Sequence, residues 1–206
     1  FNYVDGNTGS SISQSSSQMD HFNWGVCGAN ALTTSSSVCA KNVSQDISGK
    51  MFTDEACTAE TSDFAAALYG DIAYWATQGT WRLPTQAELQ KLYNEASYQY
   101  GYYTTEDGKN VYGYLFTPPM KSGRVENTSA RQITDEELVG GLFLPATGYR
   151  IYPGSTISKS GEVGYYWTSQ YRSAGDNDYA YYLELQPTQI RWAGNASYYG
   201  RSVRPV

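Results

Sequence analysis

The sequence is poor in charged residues, histidine and cysteine. Of 206 residues, 14 are Lys or Arg and 20 are Asp or Glu, which gives a net charge of −6. No basic run occurs, so the chain lacks the electrostatic footprint of a nucleic-acid-binding protein. No apolar stretch approaches the roughly 18–20 residues that a membrane-spanning helix needs. These absences exclude nucleic-acid binding and a spanning helix, and they leave globular classes open.

The cysteine and histidine content limits covalent and metal chemistry. The three cysteines are Cys27, Cys39 and Cys57, and an odd number allows at most one bridge within the chain. Cys27 and Cys39 flank a Ser/Thr-rich stretch and are the candidate disulfide, which would close a short loop. The cysteine spacing fits no zinc ribbon, and His21 is the only histidine, so we predict no zinc site, and we expect no cofactor.

The abundant residues are small, polar and aromatic. Aromatic side chains make up 15% of the chain, with 20 Tyr and 5 Trp. A chain of this length can bury about 70% of its unfolded surface without disulfides. We therefore expect one loop-rich extracellular domain, either secreted or anchored to the outer membrane. Since the sequence begins at Phe1 rather than Met, we expect a processed or truncated chain, and a signal peptide or lipid anchor is the candidate for a removed segment.

The order of patterns along the chain predicts an α+β domain spanning 1–206. Residues 1–59 are polar and aperiodic and are expected to wrap the core as an irregular segment. Residues 60–97 predict two helices, and 98–206 predict a β-rich part with the binding face. The first helix is placed at 61–78 because Phe64, Leu68, Ile72 and Trp75 share one helical face. The second begins at the capping box formed by Thr85 and Glu88 and ends near residue 96.

The second half of the chain alternates short apolar runs with turn signals. A single helical turn is predicted at 134–138. Strands are predicted at 112–116, 142–144, 149–152, 165–169, 179–185, 189–192 and 202–206. Two helices followed by many strands favour α+β. The expected topology is two helices packed on a small, twisted, mainly antiparallel sheet with long loops.

Several motifs resemble a known family when they are taken together and in order. They are GTWRLPTQAE at 79–88, LFLPATGYR at 142–150, GYYWTS at 164–169, AYYLEL at 180–185, GRSVRPV at 200–206 and, more weakly, DHFNWG at 20–25. These segments are similar to the sulfatase-modifying-factor-related branch of C-type-lectin-like proteins. They are particularly similar to the Fibrobacter succinogenes major paralogous domains of Bacteroidetes.

The resemblance implies a C-type-lectin-like fold and a ligand-binding role. The same branch contains the variable proteins of diversity-generating retroelements, and residues 170–198 are similar to their diversified stretch. Formylglycine-generating enzymes of this fold need a late cysteine pair for copper, which this chain lacks after Cys57. We therefore expect an adhesin-like or receptor-like domain rather than an enzyme, with an extracellular protein or glycan as its ligand.

The C-terminal sequence predicts where the ligand binds. If Tyr181, Leu183 and Leu185 face inward, strand alternation turns Tyr182 and Glu184 outward. Tyr, Trp, Arg, Asn and Ser are the residues that recognition surfaces favour. The predicted binding residues are Tyr171, Arg172, Asp176, Asn177, Asp178, Tyr182, Glu184, Gln189, Arg191, Trp192, Asn195, Ser197 and Tyr198.

Other functions stay open at this stage. Asp176 and Asp178 are weak calcium candidates, because calcium requires clustered oxygen ligands. Asp20 beside His21 resembles half of a hydrolase triad, but no nucleophile elbow accompanies the pair. The alternatives are a structural or assembly subunit, such as a pilus-tip protein, and a hydrolase on a related fold. Trp81, Trp167 and Leu183 are predicted core residues, and Arg82 and Arg204 are predicted to be structural.

Overall fold

The computed structural model describes residues 21–28, 31, 40, 43, 45–53, 59–152, 156–174 and 177–206. The side chains of residues 173, 174, 177 and 178 also lie outside this description. In the described part the elements follow one another as β1 (Met51–Phe52), β2 (Tyr69–Gly70), α1 (Ile72–Ala76), α2 (Gln86–Glu95), β3 (Ser97–Thr104), β4 (Asn110–Thr117), β5 (Glu126–Gln132), α3 (Asp135–Gly140), β6 (Leu142–Pro145), β7 (Tyr149–Arg150), β8 (Ile157–Ser158), β9 (Gly164–Ala174), β10 (Asn177–Gln186) and β11 (Gln189–Ala196). The predicted α+β class is confirmed.

Two sheets dominate the described structure. One has four strands in the order β5-β3-β4-β6, and the other has three in the order β11-β10-β9. The three-stranded sheet is antiparallel throughout, with Leu183 opposite both Tyr166 on β9 and Trp192 on β11. In the four-stranded sheet, β5 runs parallel to β3 and the other pairs are antiparallel. Strands β1 with β2 and β7 with β8 form two short additional pairs.

The three-stranded sheet is covered on both faces. Its Tyr182 face, which also carries Trp167, packs against a cluster that includes Trp24, Ile47 and Leu83. Its Leu183 face packs against aromatic side chains of β3 and β4. Because residues distant in sequence cover both faces, strand alternation does not separate buried from exposed positions in this sheet.

The first predicted helix is much shorter than expected. We predicted a helix over 61–78, but α1 covers only Ile72–Ala76, and Leu68 is 55% exposed. Tyr69 and Gly70 pair instead with β1, and a Cβ at Gly70 would lie 2.4 Å from the Lys50 carbonyl oxygen. This close strand pairing requires glycine, and it ends any helical path before Asp71.

The start of the second predicted helix is confirmed. Thr85 caps α2: its Oγ1 accepts a hydrogen bond from the Glu88 amide at 3.2 Å, while the Glu88 carboxylate accepts one from the Thr85 amide at 2.8 Å. Arg82 donates to both Glu88 oxygens, and this contact holds the pKa of Glu88 well below its usual range, at about 2. The predicted structural role of Arg82 is therefore confirmed, and the capping motif fixes the junction between residue 82 and α2.

Replacing Thr85 with alanine is expected to cost about 1 kcal/mol of unfolding free energy, because one helix-start amide loses its partner. Thr134 caps α3 through an equivalent capping box with Glu137, but α3 buries no residue. Thr134→Ala is the matched control and should cost less. Urea denaturation of both variants measures the difference, and a Thr85→Ala protein as stable as the wild type would contradict this role.

Several strand predictions need correction. We predicted a strand over 202–206, but Arg201 and Ser202 form only isolated bridges with Phe22 and Tyr166. Pro205 carries no amide donor, which prevents a continuous ladder there. Strands β3 and β5 were not predicted, since β5 reads as seven largely exposed residues without an apolar side. The helical turn predicted at 134–138 is confirmed by α3.

The predicted core is confirmed in part. Trp167 and Leu183 are fully buried, whereas Trp81 is 38% exposed and is not a core residue. The extended segment at Arg82 pairs with Val206 through two backbone hydrogen bonds of 2.9 and 3.1 Å, which leaves Trp81 at the periphery. In the described part of the chain, no helix combines the length and the apolar character needed to cross a membrane.

Candidate functional site

Five half-buried tyrosines form a continuous row at one side of the three-stranded sheet. Ring centroids lie 4.8 Å apart between Tyr152 and Tyr198 and 5.3 Å apart between Tyr198 and Tyr199. The row continues from Tyr199 to Tyr149 at 6.0 Å and from Tyr149 to Tyr165 at 5.1 Å. We call these five residues the tyrosine row. A surface of this kind offers rigid, amphipathic contact area at low conformational cost.

Three separate parts of the chain build the row. Tyr149 lies on β7, Tyr165 lies near the start of β9, and Tyr198 and Tyr199 follow β11. The chain after β11 is held against β7 by paired backbone hydrogen bonds between Arg150 and Gly200, of 2.8 and 3.2 Å. A Cβ at Gly200 would lie 2.8 Å from the Arg150 Cβ, so glycine permits this close approach.

A buried guanidinium lies behind the row. Arg201 is only 2% exposed, and its guanidinium carbon lies 4.0 Å from the Tyr182 ring centroid and 4.4 Å from that of Trp167. Three rings of the row, those of Tyr149, Tyr165 and Tyr199, have centroids 5.6–5.8 Å from the same carbon. Cation–π contact of this kind strengthens when the charge is removed from water. Burial lowers the pKa of Arg201 from its usual value, yet a guanidinium stays protonated in proteins.

An ion pair lies at the Tyr165 end of the row. Glu184 is opposite Tyr165 in the β9–β10 register and is 2% exposed. Arg191 donates to its two carboxylate oxygens at 2.9 and 3.1 Å, and Gln186 donates at 2.5 Å. Arg191 is exposed and covers the Glu184 carboxylate from the solvent side. Both carboxylate oxygens of Glu184 therefore have hydrogen-bond donors.

Three predicted binding residues are buried, contrary to the predicted strand phase. Tyr182, Glu184 and Ser197 lie in the interior, because the Tyr182 face of the sheet is covered by Trp24 and its neighbours. Arg191 and Trp192 are consecutive in β11 and point to opposite faces. Arg191 follows the Tyr182 face, and Trp192 packs with the Leu183 face. The single exposed surface that we predicted therefore does not exist.

The remaining predicted residues separate into small groups. Tyr171 packs on the Tyr182 face, 6.4 Å from Trp24 between ring centroids. Arg172 lies over the Tyr181 ring at 5.6 Å and donates to the Gly194 carbonyl. Gln189 is exposed. Asn195 is half-buried, and its side-chain oxygen accepts a hydrogen bond from the adjacent Ala196 amide, so neither residue extends the row.

Of the predicted residues, only Tyr198 belongs to the tyrosine row. The prediction missed Tyr149, Tyr152, Tyr165 and Tyr199, together with the Arg201 beneath them. A signal was available in the high tyrosine count, but the positions that share a surface lie on elements far apart in sequence. Arg201 sits in the closing motif and could have been recognised as an unusual charge within an apolar run.

The calcium and disulfide candidates fall largely outside the described structure. Asp176 and Cys39 are not among the described residues, and Asp178 is described only by its backbone in β10. Cys27 is buried. Within the described ranges, no group of three or more His, Cys, Asp or Glu side chains could hold a metal ion.

His21 does not have the environment of a catalytic base. It is fully buried, and its Nε2 donates to the Thr147 carbonyl oxygen at 3.0 Å. Burial lowers its pKa to about 4, so the imidazole is neutral at pH 7. Its proposed partner Asp20 lies outside the described residues. A substrate proton cannot reach a base enclosed in this way without local opening.

A concave surface lies on the four-stranded sheet. It is a groove of about 550 Å³ between α2, the end of β4 and the start of β6. Its apolar lining includes Leu92, Phe116 and Leu142, which belong to the core cluster on this side of the molecule.

Comparison with known proteins returned no match to a family model, a curated protein or a solved structure.

Proposed function

We propose that this chain is an extracellular or cell-surface ligand-binding domain with a C-type-lectin-like fold. The tyrosine row is its contact surface, and the proposal assigns no reaction to the chain. The observation that carries it is the row itself: five contiguous, half-buried tyrosine rings on elements that the backbone pairing of Arg150 and Gly200 holds together. The ordered motifs at 79–88, 142–150 and 200–206 support the choice of fold.

The position of the row suits recognition. Binding hot spots favour Tyr, Trp and Arg side chains that are anchored by neighbours yet still reachable. Each ring of the row contacts another ring, while the Tyr165 end lies beside the exposed Arg191. The scaffold beneath is closely packed, with Trp167 and Tyr182 buried edge-to-face at 5.8 Å. A ligand would therefore meet a surface that needs little ordering on binding.

Removing two rings from the row should weaken binding strongly. We expect the double variant Tyr152→Ser/Tyr198→Ser to lose about 2 kcal/mol of binding free energy, because hot-spot truncation typically costs that much or more. The assay is equilibrium binding to a printed array of neutral and acidic glycans and to immobilised mucin. The matched control is Tyr102→Ser/Tyr112→Ser, a half-buried ring pair at 5.2 Å on the four-stranded sheet.

The two double variants should lose similar, small amounts of stability, so a difference in binding reports on the surface. Equal binding by both variants and the wild type would show that the row is not the contact surface. Binding of the chain to its own copies through the row, with no glycan or mucin binding, would favour the assembly subunit instead.

A further inference from the structure

The charge behind the tyrosine row is not neutralised within the described structure. Among the described residues, Arg201 forms no ion pair, and its buried Nε and Nη1 atoms donate no hydrogen bond. Glu184, the carboxylate on the same sheet face, is occupied by Arg191 and Gln186. Arg150, on the neighbouring strand β7, likewise has a buried Nε that meets no acceptor in the described part. A positive region is therefore enclosed in a chain whose net charge is −6.

The row adds hydrogen-bond donors to this positive region. Tyr149, Tyr165 and Tyr199 are half-buried, and none of their hydroxyls bonds to another described residue. Free phenolic hydroxyls can each donate one hydrogen bond to a ligand oxygen. The three rings that carry these hydroxyls have centroids 5.6–5.8 Å from one guanidinium carbon, so the site suits a ligand group that only accepts hydrogen bonds.

The electrostatics of the site determine which class of ligand it binds most tightly. The face of an aromatic ring is negative and normally repels an anion. Here the guanidinium on the inner side of the rings offsets that repulsion, and partial burial limits screening by water. A carboxylate at the hydroxyls accepts charge-assisted hydrogen bonds, which are roughly twice as strong as neutral ones. A neutral hydrogen-bond acceptor gains much less binding free energy from the same site.

We propose that the tyrosine row binds an acidic glycan through a sugar carboxylate, an inference that rests on the proposed function. The carboxylate accepts from the hydroxyls of Tyr149, Tyr165 and Tyr199, and Arg201 supplies the long-range attraction. The rings of Tyr152, Tyr198 and Tyr199 extend this site as an apolar surface, which suits the C–H face of neighbouring sugar rings. An acidic peptide is an alternative source of carboxylate, and the experiment separates the two.

The test compares polygalacturonate with the same polymer after complete methyl esterification, which removes the charge and keeps the sugar chain. Biolayer interferometry of the whole chain should show binding at least about tenfold tighter to the acid form, and added NaCl should weaken that binding. Tyr149→Phe/Tyr165→Phe/Tyr199→Phe keeps all rings but removes three donors. We expect it to lose at least about tenfold in affinity for the acid form, while the Tyr102→Phe/Tyr112→Phe control keeps wild-type affinity.

Each other outcome decides against the inference. Equal binding of acid and ester, or an unaffected triple variant, overturns the carboxylate contact while leaving row-dependent glycan binding intact. Binding of poly-L-glutamate but not polygalacturonate assigns the site to an acidic peptide. Failure to bind any acidic polymer, together with array binding that depends on Tyr152 and Tyr198, would restrict the row to neutral glycans. Absence of any row-dependent binding contradicts the proposed function itself.

Discussion

Replacing Asp71 with alanine is expected to destabilise the domain by about 3–4 kcal/mol, because four backbone amides lose their acceptor together. Oδ1 accepts from Ala73 at 3.0 Å and Tyr74 at 3.1 Å, which starts α1. Oδ2 accepts from Gly49 at 2.9 Å and Leu83 at 2.8 Å, which joins two further segments to that helix. One fully buried carboxylate thus ties three parts of the chain.

Urea denaturation of Asp71→Ala measures this loss. Asp63→Ala is the matched control, since Asp63 is exposed and accepts from the Ala65 amide at 2.9 Å. Surface changes of that kind usually alter stability by about 0.5 kcal/mol or less. Equal effects of the two substitutions would show that the amides around Asp71 find other partners.

The same carboxylate predicts a pH dependence. Burial raises the pKa of Asp71 to about 6, above its ordinary value of 3.8, although the four amides favour its ionised form. Between pH 3.8 and about pH 6 the folded chain binds more protons at this carboxyl group than the unfolded chain does. The stability that this proton binding contributes is therefore full below about pH 4 and is lost as the pH rises through 6. The stability difference between wild type and Asp71→Asn should therefore shrink as pH rises from 4 to 6. His21 contributes stability with the opposite pH dependence, because its pKa is lowered. This contribution is the same in the wild type and in Asp71→Asn, so it cancels in the difference between them.

Trp167→Ala is expected to cost about 3–5 kcal/mol, as is typical when a large buried aromatic side chain is removed from a packed core. The indole is 1% exposed, and its Nε1 donates to the Phe22 carbonyl oxygen at 2.7 Å. Its ring also packs against Tyr182 and the Arg201 guanidinium. The substitution leaves a cavity, removes one of the two hydrogen bonds that the Phe22 carbonyl accepts, and leaves a less shielded buried charge.

Trp81→Ala provides the control, because it removes the same side chain from a 38% exposed position. Thermal and urea unfolding should show a small loss for Trp81→Ala and a large loss for Trp167→Ala. Comparable losses would mean that Trp81 contributes as much to the stability of the core in solution as Trp167 does.

Local sequence signals predicted local structure well. The capping box of α2 needs only residues three positions apart and forms as predicted, and the helical turn predicted at 134–138 forms as α3. The cores of β9, β10 and β11 also follow their apolar and aromatic runs. In contrast, the helical pattern at 61–78 was overridden by pairing between Gly70 and Met51, which no short window of sequence contains.

The candidate site shows the same limit. The phase argument for Tyr182 assumed that one face of its strand meets water, but Trp24 and Ile47 cover that face from more than a hundred residues away in sequence. The tyrosine row likewise joins Tyr149, Tyr165 and Tyr199 through the β7 contact with Gly200. Composition predicted a tyrosine-rich recognition surface, but it could not show which tyrosine rings lie together in the folded chain.

The most direct test of the central claim is a tyrosine-nitration footprint of the whole chain, with and without the glycan that binds most tightly on the array. Mass spectrometry then measures the nitration rate at each tyrosine. If the row is the contact surface, the bound glycan should slow nitration of Tyr152, Tyr198 and Tyr199 while leaving Tyr102 and Tyr112 unchanged. Protection at Tyr102 and Tyr112, with the row still modified at its free rate, would contradict the account.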